Sequence, residues 1–297
     1  MRVLLIFIDG LGIGEKNTEK NPCTYPELQI FNNFLNDTRS SKIPFGGIAL
    51  ALDTTLGVEG LPQSATGQTT LLTGVNAAKL LHRHLQGFPN ERLREILKKE
   101  SILKKVRERG RQAAFINAYR PIFFQYGPEA LLRHLSVTSV ANWAAGLPFF
   151  SLEDMVQEKA IYQDFTNQDL IEKGFTVPSF SPQKAGTILA QATREYDFCL
   201  YEYFKTDHAG HSQEMVRAIS ELKKLECFLQ SVLEHLDLNS TLVIVTSDHG
   251  NIEDVSIKTH TRNPAMTLVW GVGKEKLAEK LHSIADVTPN LLRLIVE

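Results

Sequence analysis

Apolar residues occur in short uninterrupted runs, a pattern typical of strands that are buried on both faces. Because strands of antiparallel sheets usually alternate apolar and polar positions, we interpret these runs as strands of a largely parallel sheet. Four of them are clear, and a fifth, AAFINA, is weaker; in chain order the five are Val3–Ile8, Ala113–Ala118, Phe198–Phe204, Leu242–Thr246 and Met266–Gly271.

A longer periodicity marks the helices. Between residues 212 and 236, apolar residues recur at spacings of three and four, which predicts an amphipathic helix. A helix of that length between two strands predicts a right-handed crossover. The closing IADVTPNLLRLIVE predicts a last helix, with Thr288 as its N-cap and Pro289 in its first turn.

The middle of the chain differs from its two ends. Residues 91–110 form a basic helical stretch, and aromatic and proline-bearing pieces follow it. We predict a core from residues 1–79 and 190–297, with a small lid inserted at residues 80–189. The alternative, in which the 91–110 helix and the strand after it belong to the core sheet, stays open. The pattern predicts an α/β fold, a three-layer α/β/α sandwich on a mostly parallel central sheet.

Composition narrows the function classes. The 297 residues carry a formal net charge of −2, so we expect no nucleic-acid partner. Three widely spaced cysteines favour a reducing, cytoplasmic location. The N-terminal apolar run is too short for a secretory leader, and no run approaches the ~18 residues of a membrane span. Nothing in these patterns indicates an oligomeric state.

Three of the clear strands end at an aspartate: Asp9, Asp207 and Asp248 follow the first, second and third of them. The carboxyl ends of parallel strands meet at one crevice, so we expect these carboxylates to converge. Like charges that converge in a partly desolvated place repel one another unless cations lie among them. The pattern therefore predicts a cation site.

Histidines arrive at the same edge, in DHAGH, SDHGN and KTHTRNP. One strand-end aspartate is more often a helix cap, and one loop histidine is usually solvated, so it is their joint occurrence that favours metal. Aspartate with imidazole suits zinc or manganese. The neighbours Asp248 and His249 point in different directions, which favours two ions. The predicted ligands are Asp9, Asp207, His211, Asp248, His249 and His260.

The turn DGLGIG allows a second interpretation, a dinucleotide-binding loop. Its spacing is G-x-G-x-G rather than G-x-G-x-x-G, and its glycines follow a carboxylate that would repel a pyrophosphate. We expect the glycines to let backbone and substrate approach closely.

The segment GLPQSATGQTTLLTG supplies a candidate nucleophile. A short helical run, Thr69–Thr73, ends at Gly74, and Ser64 lies at or just before the helix N-terminus, where N–H groups bind anions. A divalent cation would activate the Ser64 hydroxyl, with Thr66 as the reserve nucleophile. The alternative is an ordinary helix cap rich in serine and threonine.

Taken in order, FIDGLGIG, SATGQTTLLTG, DHAGH, SDHGN and THTRNP resemble the metal-site motifs of the alkaline phosphatase superfamily, and most closely the branch of cofactor-independent phosphoglycerate mutase and phosphopentomutase. The resemblance implies two sets of metal ligands and a phosphorylated Ser64. One set is Asp207, His211 and His260; the other is Asp9, Asp248, His249 and the Ser64 oxygen.

This chain also departs from the branch. Gln68 stands where the branch usually has histidine, and no R-x-D-R motif is present. The resemblance therefore implies a phosphohydrolase with two divalent ions, manganese or zinc, that cleaves a small anionic phosphate ester through a phosphoserine. The alternatives are a phosphosugar or phosphoglycerate-type mutase and a non-catalytic metal-dependent binding protein. Candidate substrate contacts are Thr66, Gln68, Lys79, Arg83 and Arg120.

Overall fold

The computed structural model describes residues 1–37 and 41–296. Its strands are β1 Arg2–Ile8, β2 Ser41–Ile43, β3 Gly47–Leu52, β4 Ala113–Phe115, β5 Ala118–Tyr119, β6 Phe150–Ser151, β7 Phe198–Tyr203, β8 Thr241–Thr246 and β9 Ala265–Gly271. Its α-helices are α1 Ser64–Thr73, α2 Ala77–Leu81, α3 Glu91–Glu100, α4 Ile102–Glu108, α5 Pro121–Leu131, α6 Val137–Ala144, α7 Leu152–Val156, α8 Gln168–Glu172, α9 Pro182–Thr193, α10 Lys205–Ser212, α11 Met215–His235, α12 Lys274–Ala278 and α13 Val287–Val296.

A seven-stranded sheet in the order β2-β3-β9-β8-β1-β7-β4 forms the middle layer. β1 lies at its centre and pairs in parallel with β7 and β8. Helices α9 and α11 pack on one face, and α1, α3, α4, α6, α12 and α13 on the other. The predicted three-layer α/β fold is therefore confirmed.

The direction of the last strand differs from the prediction. β9 pairs antiparallel with β8, and β3 and β2 continue antiparallel beyond it. The chain returns from β8 through a loop without a crossover helix, and only a crossover of that kind brings the next strand back in parallel. A continuous apolar run indicates burial on both faces and does not indicate direction.

Three other boundaries also differ. The weak fifth strand divides into β4, in the main sheet, and β5, which pairs with β6. The amphipathic helix begins at Met215, because the left-handed Gln213 (φ 58°) ends α10 first. Thr288 lies inside α13, where its hydroxyl donates to the Leu71 carbonyl oxygen (2.7 Å), so it is not the N-cap.

Part of the segment predicted as a lid lies in the core layers. β4 extends the main sheet beside β7, while α3 and α4 pack on one face of that sheet. This arrangement agrees with the alternative that the 91–110 helix and the strand after it belong to the core. For the rest of the segment, a lid bounded at residues 80 and 189 stays a prediction. Among the described residues, no helix combines the length and apolarity that a bilayer crossing requires.

Candidate functional site

The loops after β1 and β8 bring together a first group of ligand atoms. Because the two strands are neighbours, Asp9 at the end of β1 lies beside Asp248 and His249, which follow β8. His249 Nε2 is 3.2 Å from Asp9 Oδ1 and 3.5 Å from Asp248 Oδ2. All three residues are buried. The three ligand atoms are close enough together to share one cation.

A second group forms at the start of α10. Asp207 lies in the first turn of this helix, directly beyond β7, and His211 follows one turn later on the same face. His211 Nε2 is 3.3 Å from Asp207 Oδ2, and His260 Nε2, from the loop before β9, is 3.6 Å from Asp207 Oδ1. These residues form a second set of ligand atoms that could share a cation.

Backbone carbonyls orient both histidines of the second group. His211 Nδ1 lies 2.7 Å from the Lys258 carbonyl oxygen, and His260 Nδ1 lies 2.9 Å from that of Pro62. Since a carbonyl oxygen only accepts, each Nδ1 carries a proton, which leaves Nε2, the nitrogen nearer to Asp207, as the atom that could bind a cation. This is the arrangement in which protein histidines bind metals.

The electrostatics of the first group favour a cation. Burial raises the pKa of Asp248 well above its usual range, and the nearby Asp9 carboxylate raises it further. For His249, burial opposes the charged form, yet the carboxylates of Asp248 and Asp9 raise its pKa to about 10. Apart from the His249 ring, the buried oxygens Asp9 Oδ1 and Asp248 Oδ2 have no polar partner. Because buried carboxylates with so few partners are costly, these two atoms fit a divalent cation.

Ser64 reaches the first group from the start of α1. It is the first residue of α1, after the extended Gln63, and Gly74 in left-handed conformation (φ 75°) ends the helix as predicted. Ser64 Oγ lies 3.1 Å from His249 Nε2. The reserve nucleophile, Thr66, is fully buried; its hydroxyl donates to the Gln63 carbonyl oxygen (3.1 Å) and accepts from Leu85 N–H (3.1 Å). The geometry therefore favours Ser64 over Thr66.

The remaining candidates divide by location. Gln68 Nε2 donates to Asp9 Oδ2 (3.1 Å), so the Gln68 side chain positions the Asp9 carboxylate. Arg120 precedes α5 and lines a cavity at the same edge of the sheet. Lys79 and Arg83 lie exposed on α2 and just after it, and neither lines that cavity.

Glu253, which the sequence patterns did not single out, connects the loops of the site. Its buried carboxylate accepts from the backbone N–H of Gly12 (3.0 Å) and Asn251 (2.8 Å), and from the side chains of Thr261 and Asn263. It thereby joins the loop after β1 to the beginning and the end of the loop between β8 and β9. A glutamate five residues beyond Asp248 carries no distinguishing pattern, and only its burial and its four donors reveal it.

Two glycines of the site make room for this carboxylate. A Cβ at Gly12 would lie 2.5 Å from Glu253 Oε1, and one at Gly250 would lie 2.3 Å from the same atom. In α1, a Cβ at Gly67 would lie 2.8 Å from the Asp248 carbonyl oxygen. At Gly12 the missing side chain allows the close approach of the loops around Glu253, which agrees with the expected role of the glycines for the backbone; their role towards a substrate stays a prediction.

The chain is similar to known metalloenzymes in sequence. A family model described as Metalloenzyme superfamily matches residues 1–296. The 2,3-bisphosphoglycerate-independent phosphoglycerate mutase of Acetivibrio thermocellus is 28% identical over 109 residues, which are 34% of this chain and 21% of the relative. The enzyme of the same name from Desulforudis audaxviator is 26% identical over 124 residues, which are 40% of this chain and 24% of the relative. The alignments thus cover less than a quarter of these relatives.

Solved structures share the fold over nearly the whole chain. The PH0037 protein from Pyrococcus horikoshii has a TM-score of 0.59 at 16% identity, covering 99% of this chain and 96% of that one. Alkaline phosphatase from the Antarctic bacterium TAB5 has a TM-score of 0.56 at 13% identity, covering 99% and 98%. Leishmania mexicana phosphoglycerate mutase has a TM-score of 0.50 at 13% identity, covering 99% and 95%. The predicted resemblance is confirmed.

Proposed function

The chain belongs to the metalloenzyme superfamily, and on that premise we propose that it is a metal-dependent phosphohydrolase with Ser64 as its nucleophile. The substrate is a small phosphate ester. The observation that carries the proposal is the position of Ser64 Oγ, 3.1 Å from His249 Nε2, at the N-terminus of α1 and beside two buried carboxylates whose oxygens Asp9 Oδ1 and Asp248 Oδ2 have no polar partner except that ring.

Two divalent ions, manganese or zinc, fit the donor chemistry. Asp9, Asp248, His249 and the Ser64 oxygen would hold one, and a second set, Asp207, His211 and His260, would hold the other. When bound, such ions lower the pKa of an attacking hydroxyl and neutralise charge on the phosphoryl and leaving oxygens.

The chain's own residues then define the reaction. Ser64 Oγ gives up its proton and attacks phosphorus; the Oγ–P bond forms while the bond from phosphorus to the alcohol oxygen breaks, and that oxygen takes up one proton in exchange for the one that Ser64 released. In the second half, water attacks the phosphoserine, the Oγ–P bond breaks, Ser64 Oγ regains a proton supplied by the water, and inorganic phosphate leaves. The N-terminal end of α1 favours the negative charge of the phosphoryl group in both halves. Gln68 keeps the Asp9 carboxylate in position by its hydrogen bond to Oδ2.

Ser64→Ala tests the nucleophile. We expect turnover of phosphate monoesters to fall by at least ~10³-fold, while elemental analysis still finds bound metal, because the carboxylate and imidazole ligands remain. Ser179→Ala, at an exposed serine outside the site, is the control. Wild-type protein mixed rapidly with substrate and quenched in acid should carry phosphate on Ser64 by mass spectrometry. A Ser64→Ala variant of normal activity would overturn the proposal.

The names of the sequence relatives favour a second candidate, a mutase on the same site. A mutase retains the product alcohol and returns the phosphate to another of its oxygens. Incubation of the metal-loaded protein with phosphoglycerate and phosphosugars separates the two activities. Free phosphate supports the hydrolase; isomer formed without released phosphate overturns it.

Gln68, in place of the branch's usual histidine, raises the third candidate, a metal-dependent binding protein without turnover. This candidate predicts no turnover on any phosphomonoester, phosphodiester or sulfate ester, and a ligand affinity that Ser64→Ala leaves unchanged. The hydrolase predicts the opposite on both counts.

A further inference from the structure

A cavity of about 530 Å³ extends the edge of the sheet that carries the ligand groups. Glu202 and Phe204 at the end of β7 line it, as does Asn117 just after β4. In the sheet, β7 lies next to β1 and β4 lies next to β7. At ~4.8 Å between strands, the cavity therefore extends to about 10 Å from the end of β1, where Asp9 lies. A small ester could therefore place its phosphate beside the two groups of ligand atoms and its organic part in the cavity.

The cavity lies on the same side of the sheet as Ser64. Phe123, in its wall, packs in one hydrophobic cluster with Phe7 of β1 and Leu71 of α1. The loop between α2 and α3 joins the cavity to the first turn of α1: Leu85 N–H donates to Thr66 Oγ1, and Phe88, three residues further on, lines the cavity. One continuous face thus carries both the nucleophile and the cavity.

Aromatic and aliphatic side chains form most of the wall. Tyr119 and Phe123 pack with their ring centroids 4.4 Å apart. Phe88 and Ile122, also in the wall, are 54% and 52% exposed. Clusters of exposed large apolar side chains around a concave site are typical of ligand-binding surfaces, since a ligand with an apolar body removes them from water.

Several polar groups in the wall already bond to the protein. The Asn117 amide donates to the Glu202 carbonyl oxygen (2.8 Å) and accepts from Glu202 N–H (2.9 Å). Tyr119 OH pairs with Ser139 Oγ (2.5 Å), and Glu202 Oε2 accepts from Thr138 Oγ1 (2.6 Å). A polyol would need many wall groups that are still able to form hydrogen bonds, and this wall offers few. Its cationic side chains, Arg120 and Lys173, suit a ligand that is an anionic ester.

We propose that this cavity binds the alcohol portion of the substrate, and that the substrate is a phosphate monoester of an alcohol with an aromatic or apolar body. The inference rests on the proposed function and deepens it. On this proposal, small polyol phosphates and phosphoglycerate are expected to be poor substrates.

The kinetic test compares benzyl phosphate with ethyl phosphate, two primary alkyl esters that differ in apolar body. With metal-loaded wild type we expect kcat/KM for benzyl phosphate to exceed that for ethyl phosphate by about 10- to 100-fold, the gain from burying one phenyl ring. In the double variant Phe88→Ser/Ile122→Ser this ratio should fall about tenfold. The matched control is Phe124→Ser/Tyr126→Ser, at exposed residues (45% and 57%) of the same region that do not line the cavity; it should keep the wild-type ratio.

A binding measurement separates this inference from the activity. 2-Naphthalenemethanol, an alcohol that carries no phosphate, should bind metal-loaded wild type and the control variant equally in calorimetry, and the Phe88→Ser/Ile122→Ser variant about tenfold more weakly. If the alcohol binds in this way but no ester is turned over, the assignment of the cavity is supported and the proposed phosphohydrolase activity is overturned. Turnover with equal kcat/KM for both esters, or alcohol binding that ignores the double substitution, overturns the cavity assignment and leaves the phosphohydrolase standing.

Discussion

The imidazole rings of His249 and His260 stack face to face, with their centroids 3.7 Å apart and an angle of 15° between their planes. Each ring belongs to a different ligand group, so the stack joins the group of Asp9 to the group of Asp207. Two protonated rings at this distance would repel each other. Burial lowers the pKa of His260, and His249 lowers it further, so His260 is held in its neutral, metal-binding form.

Removal of one histidine from the second group should reduce the metal content. We expect His211→Ala to hold fewer ions per chain than wild type, one in place of two, because Asp207 and His260 alone make a weak site. Elemental analysis after dialysis measures the content. His208→Ala is the matched control, since His208 lies on the same helix and packs on the Phe204 ring. Equal metal content in the two variants would contradict the assignment.

Metal binding at the first group should release protons. In the metal-free protein the pKa of His249 is about 10, so at pH 8 the ring carries a proton that a cation must displace. Apparent affinity should therefore rise with pH up to about 10, roughly tenfold per pH unit for one released proton. Calorimetry in two buffers of different ionisation enthalpy counts the protons. A binding heat that does not depend on the buffer would show that His249 is already neutral.

Glu253→Gln should weaken metal binding without removing a ligand. The amide has one acceptor oxygen in place of two, so some of the donors from Gly12, Asn251, Thr261 and Asn263 lose their partner. We expect ~10- to 100-fold lower metal affinity and a loss of about 1–3 kcal/mol in the free energy of unfolding.

Glu226→Gln provides the comparison for Glu253→Gln. Glu226 is also buried, and its carboxylate accepts from the N–H groups of Gln29 (2.6 Å) and Ile30 (3.2 Å), away from the ligand groups. This variant should lose stability and keep its metal affinity. If both variants lose metal affinity equally, Glu253 acts through general stability alone.

Glu202 should make stability depend on pH. Burial raises its pKa from 4.5 to about 7, the hydrogen bond from Thr138 opposes this, and the Asp9 charge adds to it. Because the folded-state pKa is the higher one, the stabilisation is present below pH 4.5 and is lost as pH rises through 7. Between pH 4.5 and 8, metal-free wild type should lose up to about 3 kcal/mol relative to Glu202→Gln.

Urea unfolding at the two pH values measures the Glu202 effect. Glu59→Gln, at an exposed glutamate, should show no such difference from wild type. An equal stability gap between wild type and Glu202→Gln at both pH values would mean that the Glu202 carboxyl titrates as it does in the unfolded chain.

Local patterns were sufficient for the elements that lead into the site. The apolar runs ending at Asp9 and Asp248 are strands β1 and β8, and the run before Asp207 is β7. The hydroxyl-rich segment is α1, with Ser64 as its first residue and Gly74 after its last. In each case a short-range signal, a run of buried residues or a helix-terminating glycine, coincides with the tertiary arrangement.

Other features depend on partners far along the chain. The antiparallel direction of β9 follows from the path of the loop after β8, which no apolar run encodes. Glu253 is recognised only by the donors that surround it, one of them at Gly12, 241 residues away. The cavity wall combines side chains from widely separated parts of the chain, among them Phe88, Tyr119 and Glu202.

By itself, the sequence determined which residues lie at the ends of buried strands, because backbone and burial preferences act over a few neighbouring positions. It also predicted a metal site, since carboxylates and imidazoles that gather at one sheet edge have few other uses. Only the tertiary structure decided the direction of β9, which loops Glu253 holds together and where the cavity opens. Those features are distances between residues remote in sequence, and such distances are set by how the sheet and helices pack.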